Sequence, residues 1–419
     1  MSNPVVHVSV LSSSERASRL APEIHQMILD NIRDSKFHLS NCSLVCGSWL
    51  HLCRYHLFNE VNFRSDFARF LSSSPHAAHT VAPYIRKVVI KGNMTVRGDG
   101  DFLIKSAFQL PVLRSLHVAR FSWECIKSPL DLALGTPAVI QLSVLQLQSV
   151  SFASFKILAD FFDSLSVLQD LSLDNISWDA LGCNSTEDRC FQDHAPKQSS
   201  FKKLHLASCH NIVVLNWLLY GIVSDMPIED TNSCRQFPRL VALSFPDILP
   251  AEANTFGTFL FSLGETLQHL DLGILVQSND GRSLDGFLHH LSLSTNTNLK
   301  SIIIHQINLF QFPSHVVQVT QSLSTSILSP CAWIPPFIST IRSTVVQSVD
   351  FRMWFSNETQ LDIFPWSDLS SALLKIGVPN LRFHISGIGR DTDLVEGWIT
   401  KRIEIFDQNK TNLQFDFLG

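Results

Sequence analysis

Charge is scarce in this 419-residue chain: Asp, Glu, Lys and Arg make up 16% of it, well below the roughly 25% usual in soluble domains. Hydrophobic residues reach 45%, which excludes extensive disorder and points to buried strands. Excess positive charge is missing too. A net charge of -5 and a pI near 6.4 give no overall drive toward phosphate backbones or anionic lipid, so nucleic acid and membranes are not expected partners.

Long apolar runs are lacking. Stretches such as Ser301 to Ile304 or Val213 to Leu215 are interrupted long before the approximately 20 residues a membrane-spanning helix needs. The stretch Val5 to Leu11 has no basic residue before it and no cleavage site after it, unlike a secretory signal. The nine cysteines are odd in number and form no Cys-x-x-Cys pair, so neither a disulfide framework nor a zinc site is expected. Location inside the cell, cytoplasmic or nuclear, follows as the expectation. Cys42, Cys46, Cys53, His51 and His56 crowd together in sequence, and packing of the cysteines against Leu39 is expected there.

Signatures of catalysis are equally scarce. There is no nucleophile elbow, Walker loop, dinucleotide glycine fingerprint or metal-binding histidine pair. Gly281 to Gly286 is one residue too long for the first of these and reads as a turn. The chain is therefore expected to be no enzyme and to use no cofactor.

What is present begins after a Ser-rich segment, residues 1–19, expected to be a disordered tail. From Leu20 the pattern turns helical: Pro22 suits a first turn, Glu23 suits the positive end of the helix dipole, and Ile24, Met27, Ile28 and Ile32 form one apolar stripe. A second helical run, Leu39 to Leu57, places Val45, Trp49, Leu52 and Cys53 on one face and Leu39, Cys42 and Cys46 on the next, with Gly47 weakening it midway.

The ordered set Leu20-Ala21-Pro22-Glu23-Ile24, Ile28, Ile32, Leu39, Ser43-Leu44-Val45-Cys46-Gly47-Ser48-Trp49 and Leu57-Phe58 resembles the F-box. Ala21 stands where that family usually has proline, and Gly47 where a basic residue is common. The resemblance implies a docking module at residues 20–63 for the Skp-type adaptor of a cullin-RING ubiquitin ligase. It also implies that Leu20, Pro22, Ile24, Ile28, Leu44, Val45 and Trp49 form or support the adaptor interface. A module of this size buries its own apolar stripes poorly and needs a neighbour or partner.

After a linker at 64–84, a second pattern runs from 85 to 419: an apolar residue, a second three positions on, and a third two beyond that. It is met at Ile85-Val88-Ile90, Leu113-Leu116-Val118, Leu142-Leu145-Leu147, Leu168-Leu171-Leu173 and Phe201-Leu204-Leu206. It returns at Leu240-Leu243-Phe245, Leu267-Leu270-Leu272, Leu299-Ile302-Ile304 and Val346-Val349-Phe351. A weaker unit, Leu381-Phe383-Ile385, keeps the alternation without the lead-in. This resembles divergent leucine-rich repeats. The spacing predicts a short strand in each unit, with helices between, for example Phe155 to Leu165 and Thr255 to Leu263. The fold expected is therefore α/β: a small N-terminal helical F-box, then an irregular leucine-rich-repeat-like solenoid.

Steps between central residues vary from 26 (Leu145 to Leu171) to 47 (Ile302 to Val349), and the long ones mark insertions at Asp179 to Ser200, Ser224 to Phe237 and Phe310 to Val345. The acidic residues of the first two suit a basic partner. Together these features point to a substrate receptor of an SCF-type ubiquitin ligase that holds an unknown target protein on its repeats. The alternative is a non-catalytic scaffold whose F-box has drifted away from adaptor binding.

Overall fold

The structure, a computed structural model, describes residues 21–92, 99–122, 141–178, 201–220, 239–275, 289–309, 329, 331–387, 392–403 and 411–417. The segment 1–19, Leu20, the first two insertions, Asp179 to Ser200 and Ser224 to Phe237, the stretch Gly281 to Gly286, and residues 310–328 and 330 of the third insertion lie outside this set. The chain divides into two compact units, one of residues 1–120 with 131–142, the other of 121–130 with 143–419.

In the first unit, helices α1 (Pro22–Asn31), α2 (Lys36–Cys42) and α3 (Gly47–Phe58) come first. Pro22 opens α1 with Glu23 in its first turn, and Ser35 caps α2 by accepting the His38 amide. The break in the second helical run lies at Ser43–Cys46, and Gly47 is the first residue of α3 instead of a defect inside it. Leu29, Leu39 and Cys53 form the buried centre, with Ile32, Cys42, Trp49, Leu52 and Leu57 partly covered around them. The buried side of α1 is thus His25 and Leu29, next to the stripe of Ile24, Met27 and Ile28.

Strand β1 (Glu60–Asn62) follows, a strand outside the nine-unit pattern, then α4 (Ser65–Ser73) and α5 (Pro75–Thr80). The stretch 64–84, read from sequence as a linker, therefore holds two helices, anchored by Ala68, Leu71 and Ala77. Strand β2 (Lys87–Lys91), helix α6 (Asp99–Phe108) and strand β3 (Ser115–Ser122) complete what is described of this unit. The three strands pair in parallel in sequence order.

The second unit contains nine further parallel strands: β4 (Val144–Phe152), β5 (Asp170–Trp178), β6 (Lys203–Ala207), β7 (Ala242–Ile248), β8 (His269–Ile274), β9 (Ser301–Asn308), β10 (Ser348–Trp354), β11 (Asn380–Ser386) and β12 (Asn412–Phe417). Each pairs with its neighbour in sequence, a solenoid-like order. Between them run α7 (Phe155–Ser164), α8 (Asn211–Tyr220), α9 (Ala253–Leu263), α10 (Ile334–Ser339), α11 (Trp366–Ile376) and α12 (Thr392–Arg402). The two helices expected from sequence spacing are α7 and α9.

The repeat spacing works because a strand places alternate side chains on one face. The register aligns Leu145, Leu171, Leu204, Leu243, Leu270, Ile302, Val349 and Leu381 in one buried row and Leu147, Leu173, Leu206, Phe245, Leu272, Ile304, Phe351 and Phe383 in the next. Each buried aliphatic or aromatic side chain contributes about 1.5–3 kcal/mol relative to exposure. Rings continue the packing: Phe351 stacks on Phe383 at 5.5 Å, and Phe383 on Phe415 at 5.8 Å.

Val378 is buried as well, so the tenth unit has its lead-in after all, as Val378-Leu381-Phe383. Strand β12, with Leu413 and Phe415 in register with Leu381 and Phe383, adds one more. The joints between units share a hydrogen-bond pattern. The Ser143, Gln169, Lys202, Val241, Gln268 and Lys300 carbonyls each accept two successive amides from the following unit, at 2.7–3.1 Å except for one at 3.2 Å. Gly257 in α9 is required by a close approach, since a Cβ there would collide with the His290 carbonyl.

Candidate functional site

Two surfaces combine exposure with chemistry, one in each unit. In the first unit the F-box-like residues divide by burial. Ile24 (41%), Met27 (61%) and Ile28 (38%) lie exposed on α1, and Leu44 (84%) and Val45 (65%) on the turn before α3. Pro22 is exposed at the start of α1. Trp49 sits half-buried in the small core, edge-on to His25 at 5.7 Å, so it supports the module from within. Leu20 lies outside the described residues.

The sulfur and nitrogen groups nearby have partners. Cys46 begins α3 with Sγ 3.0 Å from Ser48 Oγ, and hydrogen bonds from Ser48 and the Trp49 amide hold this thiol below its ordinary pKa. His51 Nδ1 meets the Tyr84 hydroxyl at 2.6 Å, and His56 Nε2 lies 3.3 Å from Asp30. Cys53 is buried, and desolvation pushes its thiol up. Among the described residues no group of His, Cys, Asp and Glu is arranged to hold a metal ion.

In the second unit the solvent side of the strands forms rows of polar residues, because the alternation that buries leucine turns its neighbours outward. The middle row reads Gln146, Ser172, His205, Ser244, Asp271, Ile303, Asp350, Arg382 and Gln414. A groove of about 470 Å³ runs over β4 to β9, with Val144, Ala242 and Ile303 among its apolar lining and Lys203, His205 and Asp271 among its polar lining.

Hydrogen bonds cross the strands in this groove. His205 Nδ1 lies 2.8 Å from Ser244 Oγ, the Ser244 hydroxyl donates to Asp271 Oδ2 at 3.0 Å, and His305 Nε2 contacts Asp271 Oδ1. His269 Nδ1 lies 2.7 Å from Ser301 Oγ, and Lys203 pairs with Asp170 at 3.6 Å. Beyond the groove, Gln414 Oε1 accepts from Arg382 at 2.8 and 3.0 Å, while Asp350 and Asp416 lie 3.9 and 3.8 Å from that guanidinium.

A serine, a histidine and an aspartate in contact invite comparison with a nucleophile site. The connectivity differs: in a catalytic triad the carboxylate holds the histidine that activates the serine, whereas Asp271 accepts from the serine itself. What the arrangement does is fix the positions of donors and acceptors across neighbouring strands. Sequence reading located these rows only as residues between leucines, because the contacts depend on partners 27 to 39 positions apart, as in Ser244 with Asp271 and His205 with Ser244.

No family model matches this sequence, and no match was found among curated proteins. Among the described residues no helix is long and apolar enough to cross a membrane.

Proposed function

We propose that this chain is an F-box-type substrate receptor: its N-terminal helices dock the Skp-type adaptor of a cullin-RING ubiquitin ligase, and the solvent side of its parallel strands holds a target protein. The observation that carries this reading is the exposure of Ile24, Ile28, Leu44 and Val45, four of the F-box-like positions, on a module whose own core has only three fully buried side chains. Exposed apolar groups in this number mark a contact surface. A receptor of this kind needs no catalytic group of its own, works inside the cell, and requires neither nucleic acid nor membrane.

Co-purification of the full chain with a Skp-type adaptor tests the reading. Replacing Leu44 and Val45 together by serine should reduce adaptor retention at least tenfold while the protein stays folded. Replacing Ile24 and Ile28 by serine should do the same. Undiminished retention in both variants would remove the assigned interface. Lack of binding by the folded parent chain would favour a scaffold with a drifted F-box.

A further inference from the structure

The first solvent-side row of the second unit crosses the groove as Val144, Asp170, Lys203, Ala242, His269 and Ser301, each the direct cross-strand neighbour of the next. All six line the groove. Ala242 is the smallest of them. At about 4.8 Å per strand, the strands that carry Lys203 and His269 lie roughly 10 Å apart, and the methyl group between them leaves a gap with a nitrogen group on either side.

Both side chains can be reached from solvent. That of Lys203 is 67% exposed, and Asp170, its ion-pair partner, is 3.6 Å away, beyond good hydrogen-bond distance. The ammonium therefore still has hydrogens to donate, and an exposed pair of this kind is weak enough to admit a second acid. His269 is exposed as well. Its Nδ1 lies 2.7 Å from Ser301 Oγ, and its Nε2 has no hydrogen-bond partner among the described residues.

The charges that act on this ring are positive. Partial desolvation is the larger influence, and Lys300, immediately before Ser301 in the chain, adds to it together with Lys203; all three hold the imidazole below its ordinary pKa. The other titratable groups of the groove are engaged along the next row, where His205 meets Ser244, and Asp271 accepts from Ser244 and touches His305.

A negative charge placed over Ala242 offsets the repulsion among Lys203, Lys300 and a protonated His269, and so favours the imidazolium. Both ring nitrogens then donate, Nδ1 to Ser301 and Nε2 to the newcomer. Binding is thereby linked to uptake of a proton. With Asp170 and Asp271 lining the same groove, two lysines and one histidine match a single negative charge better than a double one.

We propose that the gap over Ala242, between Lys203 and His269, is a subsite for the carboxylate side chain of an extended segment of the target protein. The carboxylate accepts from Lys203 Nζ on one side and His269 Nε2 on the other, Lys300 supplies a further positive charge, and the aliphatic stem covers the Ala242 methyl group. This rests on the receptor reading of the same face and names the chemistry of its target: an acidic residue at this point of the bound segment. Hydrogen bonds between charged groups are the stronger kind, and two of them converging from opposite sides fix the position of the acid along the groove.

The test follows the histidine ring signals of the full chain by NMR, with His269 identified by the signal lost in His269→Gln. Blocked alanine pentapeptides with glutamate, glutamine, phosphoserine or lysine at the centre are titrated in. The glutamate peptide should move the His269 signal saturably and bind at least tenfold more tightly than the glutamine peptide. Its binding should tighten as the pH falls from about 8 to about 6, the range in which histidine takes up its proton. Lys203→Gln and, separately, Lys300→Gln should each erase most of the glutamate advantage while thermal unfolding stays that of the parent. No movement with any peptide, equal binding of glutamate and glutamine, a preference for lysine, or phosphoserine binding at least tenfold more tightly than glutamate overturns the proposal. So does a glutamate preference that persists in both variants or weakens on acidification. Adaptor co-purification reports separately on the receptor reading: retained adaptor without a carboxylate preference removes the subsite alone, and a carboxylate preference without adaptor binding removes the ligase assignment alone.

Discussion

The N-terminal helices and the strand repeats distribute the same kind of side chain in opposite ways. In the repeats, aliphatic and aromatic residues align in two continuous rows that are nearly all inaccessible, each unit completing the burial of its neighbours. In the three-helix module, Leu29, Leu39 and Cys53 are enclosed while Ile24, Met27, Ile28, Leu44 and Val45 remain outside. The first pattern stabilises by repetition, since each added unit buries a face that its neighbour would otherwise expose. The second is what a helical segment of about forty residues does when it lacks enough chain to cover itself.

The largest effect that would sharpen this contrast is expected at Phe351, fully buried and stacked on Phe383. Phe351→Ala should cost about 3–5 kcal/mol, read as accelerated hydrogen exchange in β9 to β11. In the helical module Leu39→Ala should cost about 2–3 kcal/mol and show as proteolytic opening of residues 21–58. Leu44→Ser, by contrast, should change stability by no more than about 0.5 kcal/mol. A cost at Leu44 equal to that at Leu39, measured by thermal unfolding, would break the distinction between inner and outer apolar residues.

A smaller effect is expected inside the repeats at Glu252, which is buried and accepts from the Leu249 amide at 2.8 Å and from Asn211 at 3.2 Å through one oxygen. Burial holds its carboxyl above the ordinary glutamate range, against those hydrogen bonds. The folded state therefore favours the protonated form, so this group's contribution is fully present at acid pH and is lost as pH rises through the raised value. Glu252→Gln keeps an acceptor and removes the charge; it should stabilise by up to about 1 kcal/mol at neutral pH, with the gain in melting temperature fading toward pH 4. A gain that grew on acidification would contradict the assignment.

The smallest effect concerns the left-handed positions near the strand ends. Arg120, Ser149, Asn175, Ser208 and Gln306 all adopt left-handed backbone, with φ between 50° and 60°, two positions after the third buried residue of their units. Asparagine tolerates this conformation better than glutamine. Gln306→Asn should raise the melting temperature slightly, by the equivalent of no more than about 0.5 kcal/mol; a clear loss would show that the Gln306 side chain has a role of its own.

Much of this could be read in advance because the repeat signature is a rule about burial, and burial depends on alternation within each unit. Ile85 to Phe351 followed it at all nine expected places. Val378 escaped notice because Leu381, Phe383 and Ile385 already alternate, which hid the better-matched frame one step earlier. Strand β1 was missed because three residues give too little alternation to detect. The left-handed positions were also invisible, since only Asn175 among the five has a side chain that announces such backbone.

The exposed apolar residues of the helical module were partly legible. Helical spacing grouped Ile24 and Ile28, but it does not say which apolar stripe faces inward, and the structure places His25 and Leu29 there. Trp49, grouped with these residues by the same resemblance, packs partly buried against the small core. The contacts along the middle row of the strands had no local signal: its members belong to separate units, and their adjacency exists only once the strands are in register.

In the second unit each strand pairs with the strands before and after it in the chain, and the six joints from β4 to β10 share one pattern, a pair of successive amides meeting one carbonyl. Every such joint is interchangeable in kind with the next. A strand-and-helix segment can then be duplicated or excised between two joints with the ends still matching, so descendants of one ancestral gene can differ in length by whole units. The solvent-side rows would lengthen or shorten by one residue at each such event, which lets that face change its extent without any change to its interior.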